Sequence, residues 1–167
     1  MKTLVLGLGN WIVADDSVGL HVAARLRELL ADRDDVEVGE DYWGGLRLME
    51  RMEGYDRAIV IDAIVTGAAP GTIHHLTPDA IPTQRSCSAH DMNLTTALQF
   101  GRQAGVNLPD NRAILLVGIE AQDILTFTEE CTPAVAASIP KAVEEVLKLL
   151  ETGKTDQGAS AHEGDHL

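Results

Sequence analysis

The sequence predicts an α/β protein, a three-layer sandwich with a twisted, mostly parallel sheet between helices and one antiparallel edge strand. Three runs, Leu4–Leu8, Ala58–Ile61 and Ala113–Val117, are apolar without strict alternation, as strands buried on both faces must be. Helical patterns separate them, and strand, helix, strand is the repeating order of a doubly wound sheet. Between Pro70 and Pro82 the pattern changes to a short strand flanked by turns, which suits an antiparallel edge.

The first run opens the chain, and Gly7, Gly9 and Asn10 then break it. Asp15, Asp16 and Ser17 follow, each a residue type that caps helices well. Val18, Val22, Leu26, Leu29 and Leu30 recur at three- and four-residue steps, which predicts a helix over Ser17–Ala31. Val36 and Val38 predict a short strand ending near Glu40. A loop follows through Asp41-Tyr42-Trp43-Gly44-Gly45, then a short helix carrying Leu46, Leu48 and Met49. The strand at Ala58–Ile61 is expected to close at Asp62. Gly71–Leu76 predicts the edge strand, and Thr77–Ala89 a long polar connection.

A helix is expected to start at His90 or Asp91 and to carry Leu94, Ala97 and Leu98. After the last central strand, Thr132-Pro133 is an N-cap with proline at the first helical position, where no hydrogen bond is lost. Pro140 lies inside the following pattern, so a kink or a break is expected near it. Val143, Val146, Leu147 and Leu150 complete that helix. One domain over residues 1–152 and a loose, disordered tail over 153–167 are the expected division, because the tail has almost no apolar content.

At 167 residues and 45% apolar, the chain can fill one core and is short for two. A formal charge of -13 without a basic patch speaks against nucleic acid and anionic membranes as partners. The N-terminal apolar run is too short for a signal peptide and nothing approaches a membrane span. A cytoplasmic protein, monomeric when isolated, is therefore expected. Cys87 and Cys131 make neither a disulfide framework nor a metal signature.

Chemistry concentrates at the ends of two strands. Asp15 and Asp16 follow the first strand, and Asp62 follows the third. Neighbouring parallel strands lie about 4.8 Å apart, so these carboxylates can converge on one cation or one proton. The structural alternative is a helix cap at Asp15, a solvated Asp16 and an Asx-turn at Asp62. A dinucleotide site finds only Gly7-x-Gly9 and no third glycine in register, with two aspartates where a pyrophosphate would sit. A magnesium-binding, receiver-like acidic domain lacks a lysine after the Ile114–Val117 strand. A third reading adds His90, since two carboxylates and an imidazole suit a borderline metal such as nickel or zinc.

In combination these pieces resemble the nickel-iron hydrogenase maturation endopeptidases, which trim the C-terminal extension of the hydrogenase large subunit. The resemblance rests on VLGLGNWIVADDSVG at the N-terminus, VIDAIVTGAAPGTI around Asp62, SAHDMNL around His90, LLVGIE ending at Glu120 and TPAVAASIPKAVEEVL in the last helix. It runs from about Lys2 to Leu150. It implies a twisted sheet between helices, and Asp16, Asp62 and His90 as the catalytic, nickel-contacting residues, with Asp15 outside that site. It also implies that nickel arrives within the substrate, the large-subunit precursor, and that no organic cofactor is needed. The chemistry implied is aspartic-type or metal-assisted hydrolysis. A non-catalytic, nickel-dependent chaperone or binding module for the same subunit is the alternative.

One segment departs from the family pattern. Relatives usually show Asp-Gly-Gly-Thr after the second strand, where this chain has Glu40-Asp41-Tyr42-Trp43-Gly44-Gly45. Tyr42 and Trp43 are read either as partner anchors or as a lid over the adjacent core.

Overall fold

The computed structural model describes residues 1–80 and 93–158, with side chains described for all of these except 80 and 154–158. Among the described residues five strands form one sheet: β1 (Thr3–Leu8), β2 (Val36–Asp41), β3 (Arg57–Ile64), β4 (Ile73–Leu76) and β5 (Ile114–Glu120). Their spatial order is β2-β1-β3-β5-β4. All neighbours run parallel except β4, which is antiparallel to β5. The three runs predicted to be central are β1, β3 and β5, each with a strand on both sides. The mixed sheet and its antiparallel edge are as predicted.

Among the described residues four α-helices cover the two faces: α1 (Val18–Leu29), α2 (Gly45–Arg51), α3 (Leu94–Gln103) and α4 (Pro133–Gly158). Strand alternation divides the core between them. Val5, Ile59, Ile61, Val117 and Ile119 bury with Val22 and Leu26 of α1 and Val135, Val143 and Val146 of α4. Leu4, Leu6, Val60, Ile114 and Leu116 bury with Met49 of α2 and Leu98 of α3. Among the described residues no helix is long and apolar enough to cross a membrane.

Three boundaries differ from expectation, and the break allowed for at Pro140 is absent. β3 does not close at Asp62 but continues to Ile64, because β5 keeps pairing with it: Asp62 lies opposite Gly118, and Ala63 opposite Ile119. Asn93, not His90 or Asp91, caps α3, its side chain accepting from Thr96 N–H at 2.8 Å. α4 runs unbroken through Pro140. That proline and Ala136, whose carbonyl loses its donor there, both face solvent, so water can replace the missing bond. α4 also extends to Gly158, beyond the expected boundary at residue 152; residues 159–167 lie outside the described residues.

The seating of α1 sets how closely the first loop can approach the sheet. Its N-terminal turn lies so near the strands that a Cβ on Gly19 would stand 2.3 Å from the Ile61 carbonyl oxygen and 2.7 Å from that of Leu8. Both obstacles are backbone atoms of paired strands and cannot swing aside. Gly19→Ala should therefore lose about 1–3 kcal/mol by overpacking, despite the ~1 kcal/mol that alanine gains over glycine within a helix. Chemical denaturation of the two proteins checks it, and a variant more stable than the wild type would refute the close seating.

Candidate active site

The loop from Gly9 to Ser17 carries the acidic pair to the carboxyl ends of β1 and β3. Gly9 takes φ +147°, and a Cβ there would meet the Asp16 carbonyl oxygen at 2.0 Å. The chain then turns through Ala14, the one non-glycine residue with positive φ among those described, at +27°. Backbone held there costs on the order of 1–3 kcal/mol, and its neighbours hold it. Ala14 N–H donates to the Thr128 carbonyl, and Asp15 N–H to that of Asp123, each at 2.9 Å. A turn of 3-10 helix, Ala14–Ser17, leads into α1.

The two aspartates separate sharply. Asp15 is fully buried. It does not cap α1, whose N-terminus has no side-chain cap. One carboxylate oxygen of Asp15 accepts from Gln122 N–H at 2.9 Å and Asp123 N–H at 2.8 Å. The other accepts from Thr132 N–H at 2.7 Å, and the Thr132 hydroxyl lies within 3.0 Å of both oxygens. The side chain thus ties the first loop to the segment between β5 and α4. A buried carboxylate with this many donors is satisfied rather than poised for chemistry.

Asp16 is only half-buried, and Asn10 N–H donates to its Oδ2 at 3.0 Å. Asp62 is half-buried too. By strand alternation it shares a face with Val60 and Ile64, toward α2 and α3. The Ala14–Ser17 turn packs against β3, and Gly19 abuts the carbonyl of Ile61, the residue before Asp62. Asp16 and Asp62 therefore belong to one end of the sheet. His90 lies outside the described residues, as does Cys87. Among the described residues no three His, Cys, Asp or Glu side chains are grouped to hold a metal ion.

Two further carboxylates shape this end, with roles the sequence reading missed. Glu120, at the end of β5, accepts from Thr66 N–H at 2.7 Å and Ala68 N–H at 3.0 Å, and holds the connection after β3. Burial works against its charge, but these donors outweigh it and keep its carboxyl below the usual range. His74 Nε2 stands 3.5 Å from the same carboxylate. Asp41 likewise resists burial by accepting from Arg47 Nε at 3.0 Å and Tyr42 N–H at 2.9 Å, and is also held below its usual range. The only sequence hint of either role was an acid at the end of a strand.

The loop that Asp41 organises projects Tyr42 and Trp43 into solvent, 70% and 55% exposed, with ring centroids 5.9 Å apart. They form no lid over the core. Burial pushes the Cys131 thiol up, and the nearby Asp15 charge adds to that effect, which disfavours the thiolate.

Fold and site together define a class: a three-layer α/β protein with acidic residues gathered where its central parallel strands end. Within that class, the chain belongs to the hydrogenase maturation protease family, whose HycI description matches residues 20–149. It is 31% identical to the hydrogenase 2 maturation protease of Escherichia coli over 153 residues, covering 90% of this chain and 91% of that one. It superposes on the hydrogenase maturating endopeptidase HybD from E. coli with a TM-score of 0.73 at 31% identity, covering 92% and 94% of the two chains. The [NiFe] hydrogenase maturation protease HybD from Thermococcus kodakarensis gives a TM-score of 0.61 at 32% identity, with 89% and 99% covered.

Asp15→Ala would leave three backbone N–H groups at Gln122, Asp123 and Thr132 without their acceptor. Each orphaned donor costs about 1–3 kcal/mol, so the variant should lose at least ~3 kcal/mol, well above the ~1 kcal/mol of a lost helix cap. Urea titration decides between them; a loss near that of a cap would show the clamp to be weak.

Proposed function

We propose that this protein is an endopeptidase that removes the C-terminal peptide from the nickel-loaded large-subunit precursor of a nickel-iron hydrogenase. The reading is supported by the family match and by the packing of the Ala14–Ser17 turn, which carries Asp16, against β3, which carries Asp62. Asp16, Asp62 and His90 are the proposed catalytic residues and the ones that meet nickel, which enters with the substrate. Carboxylate and imidazole donors suit such a borderline ion. One carboxylate takes a proton from water as that water attacks the scissile carbonyl, and the substrate's nickel polarises the carbonyl. The proton then passes to the departing amine. The protein is proposed to act as a cytoplasmic monomer when isolated.

Incubation with nickel-loaded and nickel-free precursor tests the reading. The loaded form alone should be shortened. Asp62→Asn, which removes a charge at constant volume, should abolish processing with little change in melting temperature. His90→Gln should weaken recognition of the loaded form. Full activity in Asp62→Asn would overturn the mechanism, and binding without shortening by the wild type would favour a chaperone.

Tyr42 and Trp43 are proposed to tune partner choice, because Asp41 holds their loop while leaving both rings in water. Replacing both by glycine should raise the precursor concentration needed for half-maximal processing and leave melting unchanged. Unaltered processing with a lower melting temperature would make them packing residues.

A further inference from the structure

A second exposed surface lies beside the acidic site and differs in character from the Tyr42–Trp43 loop. Leu125 and Phe127, in the segment between β5 and α4, are 83% and 82% exposed. The segment beside them, Trp11–Val13, carries Ile12, which is 51% exposed. The two segments are joined as short strands are: Val13 bridges Phe127, and Thr128 N–H donates to the Ile12 carbonyl at 3.0 Å. Single exposed apolar side chains are ordinary; here backbone pairing brings the segments that carry Ile12 and Phe127 together.

The patch is held firmly. Asp123 accepts from Leu125 N–H and Thr126 N–H, each at 3.0 Å, while Asp123 N–H and Thr132 N–H are held by Asp15. A rigid apolar ledge loses little entropy on binding. It is also continuous with the candidate site, because the Ile12–Val13 segment leads directly into Ala14–Ser17 and Asp16.

Its electrostatic surroundings select the occupant. Residues 3–24 and 113–140 contain no lysine or arginine, and the acids they leave at least partly in solvent are Asp16, Asp123, Glu129 and Glu130. Such a surface repels an acidic partner and favours one with cationic groups around an apolar centre.

We propose that Ile12, Leu125 and Phe127 form a docking ledge for the hydrogenase precursor, seating an apolar surface of it rimmed by lysine or arginine while its cleavage site reaches Asp16 and Asp62. This rests on the protease reading above and adds to it the surface through which substrate is held. Leu125 and Phe127 fill apolar depressions on the precursor, and the surrounding carboxylates set its orientation.

The test pairs Leu125→Ser/Phe127→Ser with Phe100→Ser, a control at an exposed apolar residue on α3. Precursor binding by surface-immobilised protein and precursor cleavage are both measured, with melting temperature as the check on folding. The double variant should bind at least tenfold more weakly and raise KM by a similar factor at nearly constant kcat, while Phe100→Ser matches the wild type. Wild-type binding should weaken as salt rises. Unchanged binding in the folded double variant, or an equal loss in the control, overturns the ledge. So does a wild-type dimer that the double variant dissociates, because a second copy then occupies the patch. If the wild type binds precursor without cutting it, the protease reading falls and the ledge is still judged by the binding of the double variant.

Discussion

The arrangement at the carboxyl end of the sheet depends on one buried charge. Asp15 sits where a carboxylate is costly unless every lone pair is engaged, and its donors come from a segment more than a hundred positions further along, at Gln122, Asp123 and Thr132. That exchange fixes the strained turn at Ala14, starts α4 at Pro133, and sets Asp16 next to Asp15 with its carboxylate still partly in water. The adjacent aspartates thus divide the work by environment: one is spent on architecture and the other stays accessible. The pair reads as a repetition in sequence, but its two members face opposite demands in the fold.

The sheet positions Asp62 by a different means. Asp62 belongs to a strand that continues to Ile64 under pairing from β5, so its backbone is fixed by hydrogen bonds on both sides of it in sequence. The glycines at positions 9 and 19 let the first loop and α1 come down onto the strand ends. Asp41 and Glu120 finish the surroundings by holding the loops after β2 and β3, each accepting backbone donors of the loop that it organises. Of five acids near this sheet end, Asp15, Asp41 and Glu120 hold loops through backbone N–H groups, while Asp16 and Asp62 stay partly exposed.

The layered fold was legible because its signals are local. Leu4–Leu8, Ala58–Ile61 and Ala113–Val117 announce buried strands by composition alone, and Thr132-Pro133 announces a helix start. Asp62 was expected just outside its strand, since a polar residue after an apolar run reads as an end; resumption at Ala63–Ile64 was the overlooked sign. Asp15 was misread for a stronger reason. Its partners are distant in sequence, and nothing near residue 15 reveals them, so the local habit of aspartate before a helix prevailed. Pro140 shows the converse. Local chemistry predicted a kink or a break; the helix does not break, at a solvent-facing position where water can stand in for the absent bond. The exposure of Tyr42 and Trp43 turned on Asp41, whose burial and pairing with Arg47 lie beyond what composition conveys.

The bond from Thr132 to Asp15 spans 117 positions, and this has a consequence for synthesis. A chain emerging from the ribosome presents Asp15 early, long before the donors that compensate its burial exist. Until Thr132 has emerged, the first loop gains nothing by burying that charge, and the turn at Ala14 has no reason to persist. The strands β1 and β3 can already pair by then, since apolar burial is available to them as soon as both are made. A nascent or truncated chain that ends before Gln122 therefore lacks all the donors that hold the Asp15 carboxylate at the sheet end.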